Sequence, residues 1–259
     1  MLSRTGQAVA LMRADMIRPH TPAGDPDAQH HLCTGMTPTN ISHPGILART
    51  RFFDDQVLQA IAAGVRQVAI CGAGYDDRAL RFRTPGLHFF ELDHPGTQAD
   101  KLQRLHAMGA DLRGVTLAAA DFRDNDVAAV LERAGHDRAR PTLFFCEGLL
   151  VYLDRTTGDT LLTGLASRAA AGSTLVVSLA THSPGVDSAH AVEIANARRA
   201  NSVDEPWCTI LPAEEHLAGF PACGWNVQQV VDAVTLEPDV PAGRTLFVTA
   251  APLRPLTSW

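Results

Sequence analysis

Cysteine is scarce in this sequence, and its spacing excludes two kinds of small stabilised domain. The 259 residues include five cysteines, at positions 33, 71, 146, 208 and 223, and no two of them form a Cys-x-x-Cys pair. An odd number without such a pair argues against a disulfide framework and against a zinc ribbon. Cys71 and Cys146 lie within apolar runs, which predicts buried, small hydrophobic residues. The pattern favours a reducing compartment.

Basic charge and long apolar runs are also lacking. The 22 lysines and arginines are outnumbered by 28 aspartates and glutamates, which gives a formal charge of −6. A nucleic-acid face would need clustered basic residues, so nucleic acid is not an expected partner. No apolar run approaches the roughly 18 residues that cross a membrane. Arg13 interrupts the first apolar stretch, which does not resemble a signal peptide. We therefore expect a cytoplasmic protein without a membrane partner.

The order of predicted strands and helices indicates the fold class. Hydrophobic residues make up 46% of the chain and charged residues 19%, which is ordinary globular usage. From Val65 onward, five apolar strand segments alternate with helical segments, ending with STLVVSLAT. This alternation predicts an α/β fold with a doubly wound, Rossmann-like, mostly parallel sheet. Ligands of such sheets bind at the carboxyl ends of the strands.

A chain of this length is expected to form a single domain. We predict an N-terminal helical lid over residues 1–45 and a ligand-binding core over 46–180. An insertion on the substrate side follows at 181–211, because the alternation breaks there. A C-terminal helix and strands complete the domain at 212–259.

A glycine-rich turn follows the first predicted strand. Gly72 and Gly74 flank Ala73, and two aspartates, Asp76 and Asp77, stand close behind. Glycines let the backbone turn tightly and approach a ligand closely. A dinucleotide-binding turn has a third glycine where Asp77 stands, and carboxylates here would repel a diphosphate. The turn instead favours an adenosine ligand that has no phosphate but has a cationic sulfonium and an α-amino group. S-adenosylmethionine fits that description.

Carboxylates also mark the ends of the next two strands. Glu91 and Asp93 lie about 20 residues beyond Gly72, where a ribose-binding acid is expected. Asp93 can equally cap the helix that follows. Asp121 and Phe122 end the third strand, and an acid and an aromatic ring there can hold the adenine amino group and cover its ring.

Glu147 ends the most apolar strand. A carboxylate in such a position is costly unless a cationic ligand or an arginine compensates it. Upstream, Arg49 precedes the first strand on a predicted helix. Its planar guanidinium suits a ligand carboxylate. The alternative is a solvated helix face with an ion pair between Arg51 and Asp55.

Together these segments resemble the leucine carboxyl methyltransferase family of class I S-adenosylmethionine-dependent methyltransferases, in its bacterial small-molecule branch. The similarity runs from SRTGQAVALMRA to DEPWCTILPAEEHLAGFPACGWNV. The most specific segments are ARTRFFDD, QVAICGAGYDDRALRF, FFELDHPGTQADK, AADFRD and FFCEGLLVYL. The resemblance implies a Rossmann-like sheet with an antiparallel last strand, helical lid segments and S-adenosyl-L-methionine as cofactor.

The resemblance also implies roles for residues of the site. Arg49 would bind the methionyl carboxylate, and Glu147 would face the amino group. Asp93 would hold the ribose with support from Glu91. The predicted cofactor-binding residues are Arg49, Gly72, Ala73, Gly74, Asp76, Glu91, Asp93, Asp121, Phe122 and Glu147.

The methyl acceptor is less well defined by the sequence. Members of the family act on protein C-termini or on small molecules, including polyketide carboxylates, so the acceptor is expected to be a small-molecule or peptide carboxylate. A carboxylate is ionised at pH 7 and needs no general base. A hydroxyl acceptor on a natural product, which would benefit from a base, is the alternative. A nicotinamide-dependent oxidoreductase and a non-catalytic cofactor-binding protein are the remaining alternatives.

Three residues are candidates for the acceptor side of the site, namely Tyr152, His182 and Trp207. His182, His43 and His216 are candidates for a general base. No residue is assigned a catalytic role. No metal site is predicted, because His30, His31 and Cys33 are expected in an extended loop where neighbouring side chains point in opposite directions.

Overall fold

The computed structural model describes residues 3–37, 45–198, 205–239 and 244–253. Its α-helices are α1 (Arg4–Ala14), α2 (Ala28–Leu32), α3 (Ile46–Ala62), α4 (Arg78–Arg81), α5 (Pro95–Ala107), α6 (Val127–Arg133), α7 (Arg155–Ser167), α8 (Ser188–Arg198) and α9 (Ala213–Gly219). Its strands are β1 (Gln67–Cys71), β2 (His88–Asp93), β3 (Val115–Ala119), β4 (Thr142–Cys146), β5 (Thr174–His182), β6 (Leu211–Pro212), β7 (Trp225–Asp232) and β8 (Thr245–Pro252).

The central sheet has the strand order β3-β2-β1-β4-β5-β8-β7. The first five strands of that order are parallel, β8 is antiparallel to β5, and β7 is antiparallel to β8. The two-residue β6 pairs with the end of β5. The predicted α/β sheet with an antiparallel last strand is therefore confirmed. The chain order reverses between β1 and β4, and ligands of such sheets bind at this switch point.

Both faces of the sheet are covered, which explains the continuous apolar runs of the central strands. Along β1, Val68 and Ile70 face a core cluster that includes Phe53 of α3. The alternate residues Ala69 and Cys71 face the opposite cluster, to which α6 and α7 contribute. Period-two alternation thus divides each strand between two cores, and the polar strand ends are left at the sheet edge.

The N-terminal arm, residues 3–37, packs against the core more closely than a surface lid would. Ala28 and Leu32 of α2 are fully buried and pack in a third cluster with Tyr75. His30 lies within α2, not in the extended loop that was predicted, as does its neighbour His31. A five-residue helix is too short to show a clear apolar period, which is why the sequence did not reveal it.

No helix in the described ranges combines the length and the apolar character that a membrane span requires.

Candidate functional site

The carboxyl ends of β1 to β4 open into a cavity of about 390 Å³. This volume is in the range of small-ligand sites. The cavity brings together most of the predicted site residues, namely Arg49, Gly72, Ala73, Gly74, Asp76, Asp93, Asp121, Phe122, Glu147, Tyr152 and Trp207. Parallel strands place residues that are distant in the sequence at one edge, so the strand ends meet as expected.

The turn after β1 requires glycine at two positions. Gly72 and Gly74 have φ angles of +71° and +50°, in the left-handed region that side chains disfavour. A Cβ atom at Gly72 would also lie 3.1 Å from Cδ1 of Leu149. The bare backbone therefore lines the cavity directly, where a ligand can approach it.

Asp93 is held at the end of β2 by backbone donors. Its Oδ2 accepts a hydrogen bond from the Gly74 amide at 2.7 Å, and its Oδ1 accepts from the His94 amide at 2.7 Å. Burial raises the pKa of Asp93, and these two bonds oppose that shift. The cap of α5 is His94, whose Nδ1 accepts from the Gly96 amide. The carboxylate is thus oriented at the cavity wall, where its remaining lone pairs can accept from two ribose hydroxyls.

Beyond the turn lies a buried group that we call the arginine–carboxylate cluster. Its members are Arg13, Arg18, Arg49, Arg78, Arg81, Asp54, Asp76, Asp77 and Glu147. Ion pairs connect them into one chain of contacts, which crosses from the N-terminal arm through α3 to the ends of β1 and β4. Such a group is stable only when nearly every charge has a partner.

Glu147 is the most heavily paired carboxylate of the cluster. Its Oε1 accepts from Arg13 and, at 3.0 Å, from Nε of Arg49, while its Oε2 accepts from Arg78 at 2.6 Å. Burial alone would raise the pKa of Glu147, but Arg13, Arg78 and Arg49 together lower it to about 2. Arginines therefore compensate this carboxylate, one of the two possibilities that the sequence left open.

The two aspartates after the turn are paired and are not free acids facing a ligand. Asp76 lines the cavity, but it accepts from Arg13 at 3.2 Å and from Arg78 at 2.5 Å. Asp77 is fully buried outside the cavity lining, between Arg18 at 2.6 Å and Arg81 at 2.7 Å. The expected repulsion of a diphosphate by bare carboxylates is corrected accordingly, because guanidinium groups neutralise both.

The prediction that Glu91 contacts the cofactor is also corrected. Its side chain is buried and paired with Lys101 of α5, outside the cavity lining. Burial raises the pKa of Glu91 to about 6, although Lys101 opposes the shift. Glu91 and Asp93 share one face of β2, but only Asp93, at the last strand position, reaches the edge. Lys101 also donates to the Asp76 carbonyl at 2.7 Å, so Glu91 supports the turn from behind.

At the β3 end, Asp121 and Phe122 line the cavity as predicted. The Asp121 amide donates to Asn125 at 2.8 Å, and its carboxylate accepts from the Arg123 amide at 3.1 Å. The side chain of Phe122 packs partly against the core. An acceptor and an aromatic surface therefore lie together on this side of the cavity.

Another wall of the cavity is formed by two segments from distant parts of the sequence, the N-terminal end of α1 and residues 205–207. Oε2 of Glu205 accepts from the Thr5 amide at 2.9 Å and from the Thr5 hydroxyl. Asn196 of α8 bonds to both the amide and the carbonyl of Trp207, at 2.8 and 2.9 Å. The Cys208 amide donates to Val151 at 2.7 Å. We call this wall the acceptor wall, after the sequence-based expectation that Trp207 lies on the acceptor side.

The histidines proposed as bases do not line this cavity. The ring of His182 is buried, with Nδ1 at 2.9 Å from the Ser183 carbonyl and Nε2 at 2.8 Å from the Ser188 hydroxyl. Its assignment to the acceptor side is corrected, because the ring is absent from the cavity lining and both of its nitrogens have partners elsewhere. His216 lies beside a smaller, separate pocket, and its Nε2 contacts the Ala180 carbonyl at 3.0 Å. His43 lies outside the described residues.

Comparison with known proteins connects this site to a family. The family model described as "Leucine carboxyl methyltransferase" matches residues 7–166. A candidate S-adenosyl-L-methionine-dependent methyltransferase from Mycolicibacterium gilvum is 37% identical over 191 residues, covering 71% of this chain and 61% of the relative. A protein of the same description from Mycobacterium avium is 29% identical, covering 94% of this chain and 85% of the relative.

Among solved structures, a candidate methyltransferase from Thermobifida fusca has a TM-score of 0.62 at 16% identity. The alignment covers 93% of this chain and 97% of that protein, and the likeness concerns the fold alone. The family match spans the cofactor half of the sheet and includes the glycine turn, Asp93 and Glu147. This chain belongs to the leucine carboxyl methyltransferase family.

Proposed function

We propose that this chain is an S-adenosylmethionine-dependent O-methyltransferase that acts on a carboxylate of a small molecule or of a peptide C-terminus. The family supplies the reaction class and the cofactor. The observation that carries the proposal is the cavity itself, which combines a glycine turn and Asp93 with the guanidinium group of Arg49.

The lining residues fit the parts of this cofactor. Asp93 offers acceptors for a ribose diol, and Phe122 offers a surface for adenine. Gly72 and Gly74, with their positive φ angles, present backbone without a side chain to the cavity. Arg49 offers a guanidinium for a carboxylate. When bound, S-adenosylmethionine supplies an activated methyl group on its sulfonium.

The charge balance of the cluster supports an anionic ligand group at Arg49. Five guanidinium groups face four carboxylates, which leaves one positive charge in excess. Burial opposes the charge of Arg18 and Arg78, but their acidic partners raise both pKa values. Burial lowers the pKa of Arg49, and Glu147 does not offset it. Arg49 pairs with Glu147, which it shares with Arg13 and Arg78, and it lines the cavity, where a ligand carboxylate would balance the excess charge of the cluster.

We assign a carboxylate as the acceptor because its methylation requires no general base from the protein. A carboxylate nucleophile is already ionised at neutral pH, so positioning and exclusion of water are sufficient tasks for the protein. The acceptor wall supplies Pro206 and Trp207 for those tasks, and Tyr152 also lines the cavity. Neither His182 nor His216 is placed to remove a proton.

One observation favours a hydroxyl acceptor as a second candidate function. Glu205 places a carboxylate in the acceptor wall, where it could accept a proton from a hydroxyl group. A carboxylate acceptor would gain nothing from it. The two candidates therefore differ in whether transfer depends on Glu205.

The test is a transfer assay with methyl-labelled S-adenosylmethionine and matched acceptors that carry a carboxyl or a hydroxyl group on the same skeleton. Alkali releases labelled methanol from a methyl ester and leaves a methyl ether intact. We expect the alkali-labile product and a rate that Glu205→Gln preserves across neutral pH. An alkali-stable product that requires Glu205 would establish the hydroxyl candidate instead. Cofactor binding without transfer to any acceptor would contradict both.

A further inference from the structure

Arg13 is a charged residue of the cavity wall that no sequence motif indicated. It lies near the end of α1, is buried, and lines the cavity. Its Nε contacts the Thr50 hydroxyl at 3.3 Å, its Nη1 contacts Asp76 at 3.2 Å, and its Nη2 contacts Glu147. The guanidinium is therefore fixed by contacts on all three nitrogens.

Arg13 and Arg49 lie side by side because they share one acceptor atom. Both donate to Oε1 of Glu147, Arg13 from α1 and Arg49 from α3. A guanidinium carries five N–H donors, and the contacts of Arg13 engage one donor on each nitrogen. Each terminal nitrogen therefore retains a second N–H. Glu147 also pairs with Arg78, and the whole cluster has five guanidinium groups for four carboxylates, so a further anion beside Arg13 and Arg49 would balance its charge.

Arg18 of the same arm provides a comparison, because it is also paired with two carboxylates. Its Nε and Nη2 bind the two oxygens of Asp54 at 2.8 and 3.0 Å, and its Nη1 binds Asp77 at 2.6 Å. Arg18 does not line the cavity. The two arginines come from one segment and share burial and ion pairing, but only Arg13 faces the ligand space.

We infer that Arg13 is a second carboxylate-binding residue, which with Arg49 forms a two-guanidinium clamp for the amino-acid end of the cofactor. This inference rests on the proposed function. Its consequence is that α1 is part of the cofactor site and is held there by the ligand. Arg49 comes from α3, so the clamp joins the N-terminal arm to the core through the ligand carboxylate.

The test measures binding of three ligands by calorimetry. S-adenosylhomocysteine has the carboxylate and the amino group, its decarboxylated form retains only the amino group, and methylthioadenosine has neither. The variant is Arg13→Lys, which keeps the charge but loses the planar fork. The matched control is Arg18→Lys. We expect Arg13→Lys to weaken S-adenosylhomocysteine about tenfold or more, with the other two ligands little changed. Arg18→Lys should change the affinities for all three ligands by the same factor.

Other outcomes would overturn the clamp. Equal weakening of all three ligands by Arg13→Lys would make its role structural. Weakening of both amino-bearing ligands alike would place the effect on the amino group, through Glu147. Unchanged affinity for S-adenosylhomocysteine would remove Arg13 from the site. A wild-type protein that binds none of the three ligands would overturn the proposed function itself.

Hydrogen exchange of the wild-type protein provides a test that does not depend on a folded variant. The clamp predicts that amides of α1, residues Arg4–Ala14, gain more protection with S-adenosylhomocysteine than with its decarboxylated form. Equal protection of α1 by the two ligands, both at saturating concentration, would contradict the clamp.

Discussion

The two walls of the cavity differ in what holds them in place. The cofactor wall consists of strand ends, and buried ion pairs fix Glu147 and Asp76 there. The acceptor wall consists of the start of α1 and residues 205–207, which are joined by the contact between Thr5 and Glu205 and by backbone hydrogen bonds. Removal of one charged side chain from the cofactor wall would leave a buried ion without its partner and lower the free energy of unfolding. Side chains of the acceptor wall can change without that loss. Such a division suits a family with one cofactor and varied acceptors.

The largest effect is expected from Glu147→Ala. Removal of this carboxylate leaves Arg13, Arg49 and Arg78 short of a buried partner, which costs about 3–5 kcal/mol. We expect the free energy of unfolding in urea to fall by that amount and calorimetric binding of S-adenosylhomocysteine to be lost. Glu205→Ala, from the acceptor wall, is the matched control and should retain cofactor binding. Unchanged affinity in Glu147→Ala would refute the role of the cluster.

Acid should weaken the cofactor wall through the same carboxylate. The folded-state pKa of Glu147 is lowered to about 2, so its contribution to stability is complete above its ordinary pKa of 4.5. That contribution, about 3 kcal/mol, is lost as the pH falls from 4.5 through 2. Urea unfolding at pH 5 and at pH 3 should show a larger loss of stability in the wild type than in Glu147→Gln. Parallel losses in the two proteins would mean that Glu147 is not ionised in the fold.

Asp93→Asn should have an intermediate effect that includes the loss of one of the two hydrogen bonds that the Gly74 and His94 amides donate to Asp93. An amide oxygen can replace one acceptor of the carboxylate but not its charge, so the affinity for S-adenosylhomocysteine should fall by about 10–100-fold. Glu91→Gln is the control, because that carboxylate is buried two residues away but lies outside the cavity lining. It should alter stability more than affinity. The reverse ranking of the two variants would mean that Glu91, not Asp93, holds the ribose.

Glu205→Gln should have the smallest effect and should act on the acceptor alone. The amide keeps the contact with Thr5 but removes a negative charge from the acceptor wall. We expect the KM for the acceptor to change while the affinity for S-adenosylhomocysteine stays near the wild-type value. An equal loss of both would show that the two walls are not separable.

The cofactor wall could largely be predicted from the sequence, since parallel strands bring their ends to one edge whatever the intervening helices contain. The turn at Gly72 and the acid Asp93 follow from that rule. The sequence did not predict which of the two acids of β2 reaches the cavity. Glu91 and Asp93 lie on the same face of the strand, and only Asp93, the last residue of the strand, lines the cavity. Tyr152 and Trp207 line the cavity, whereas His182 does not, and their predicted contact with the acceptor stays a prediction.

The contacts that the sequence did not predict join segments that lie far apart along the chain. Arg13 reaches Glu147 across 134 positions, and Thr5 reaches Glu205 across 200. Neither pair forms a local motif, and a lone arginine on a helix gives no sign that it will be buried. Such pairs depend on how the N-terminal arm packs on the sheet, which periodicity does not determine.

Thermal unfolding with S-adenosylhomocysteine, and separately with NAD, tests the nature of the cofactor wall most directly. Ligand at 100 times its dissociation constant adds about 2.7 kcal/mol, which for a chain of this size raises the Tm by roughly 5–10 °C. The cavity predicts this rise with S-adenosylhomocysteine and none with NAD. A rise with NAD alone would contradict the assignment of Asp93, Arg49 and the glycine turn to an S-adenosylmethionine site.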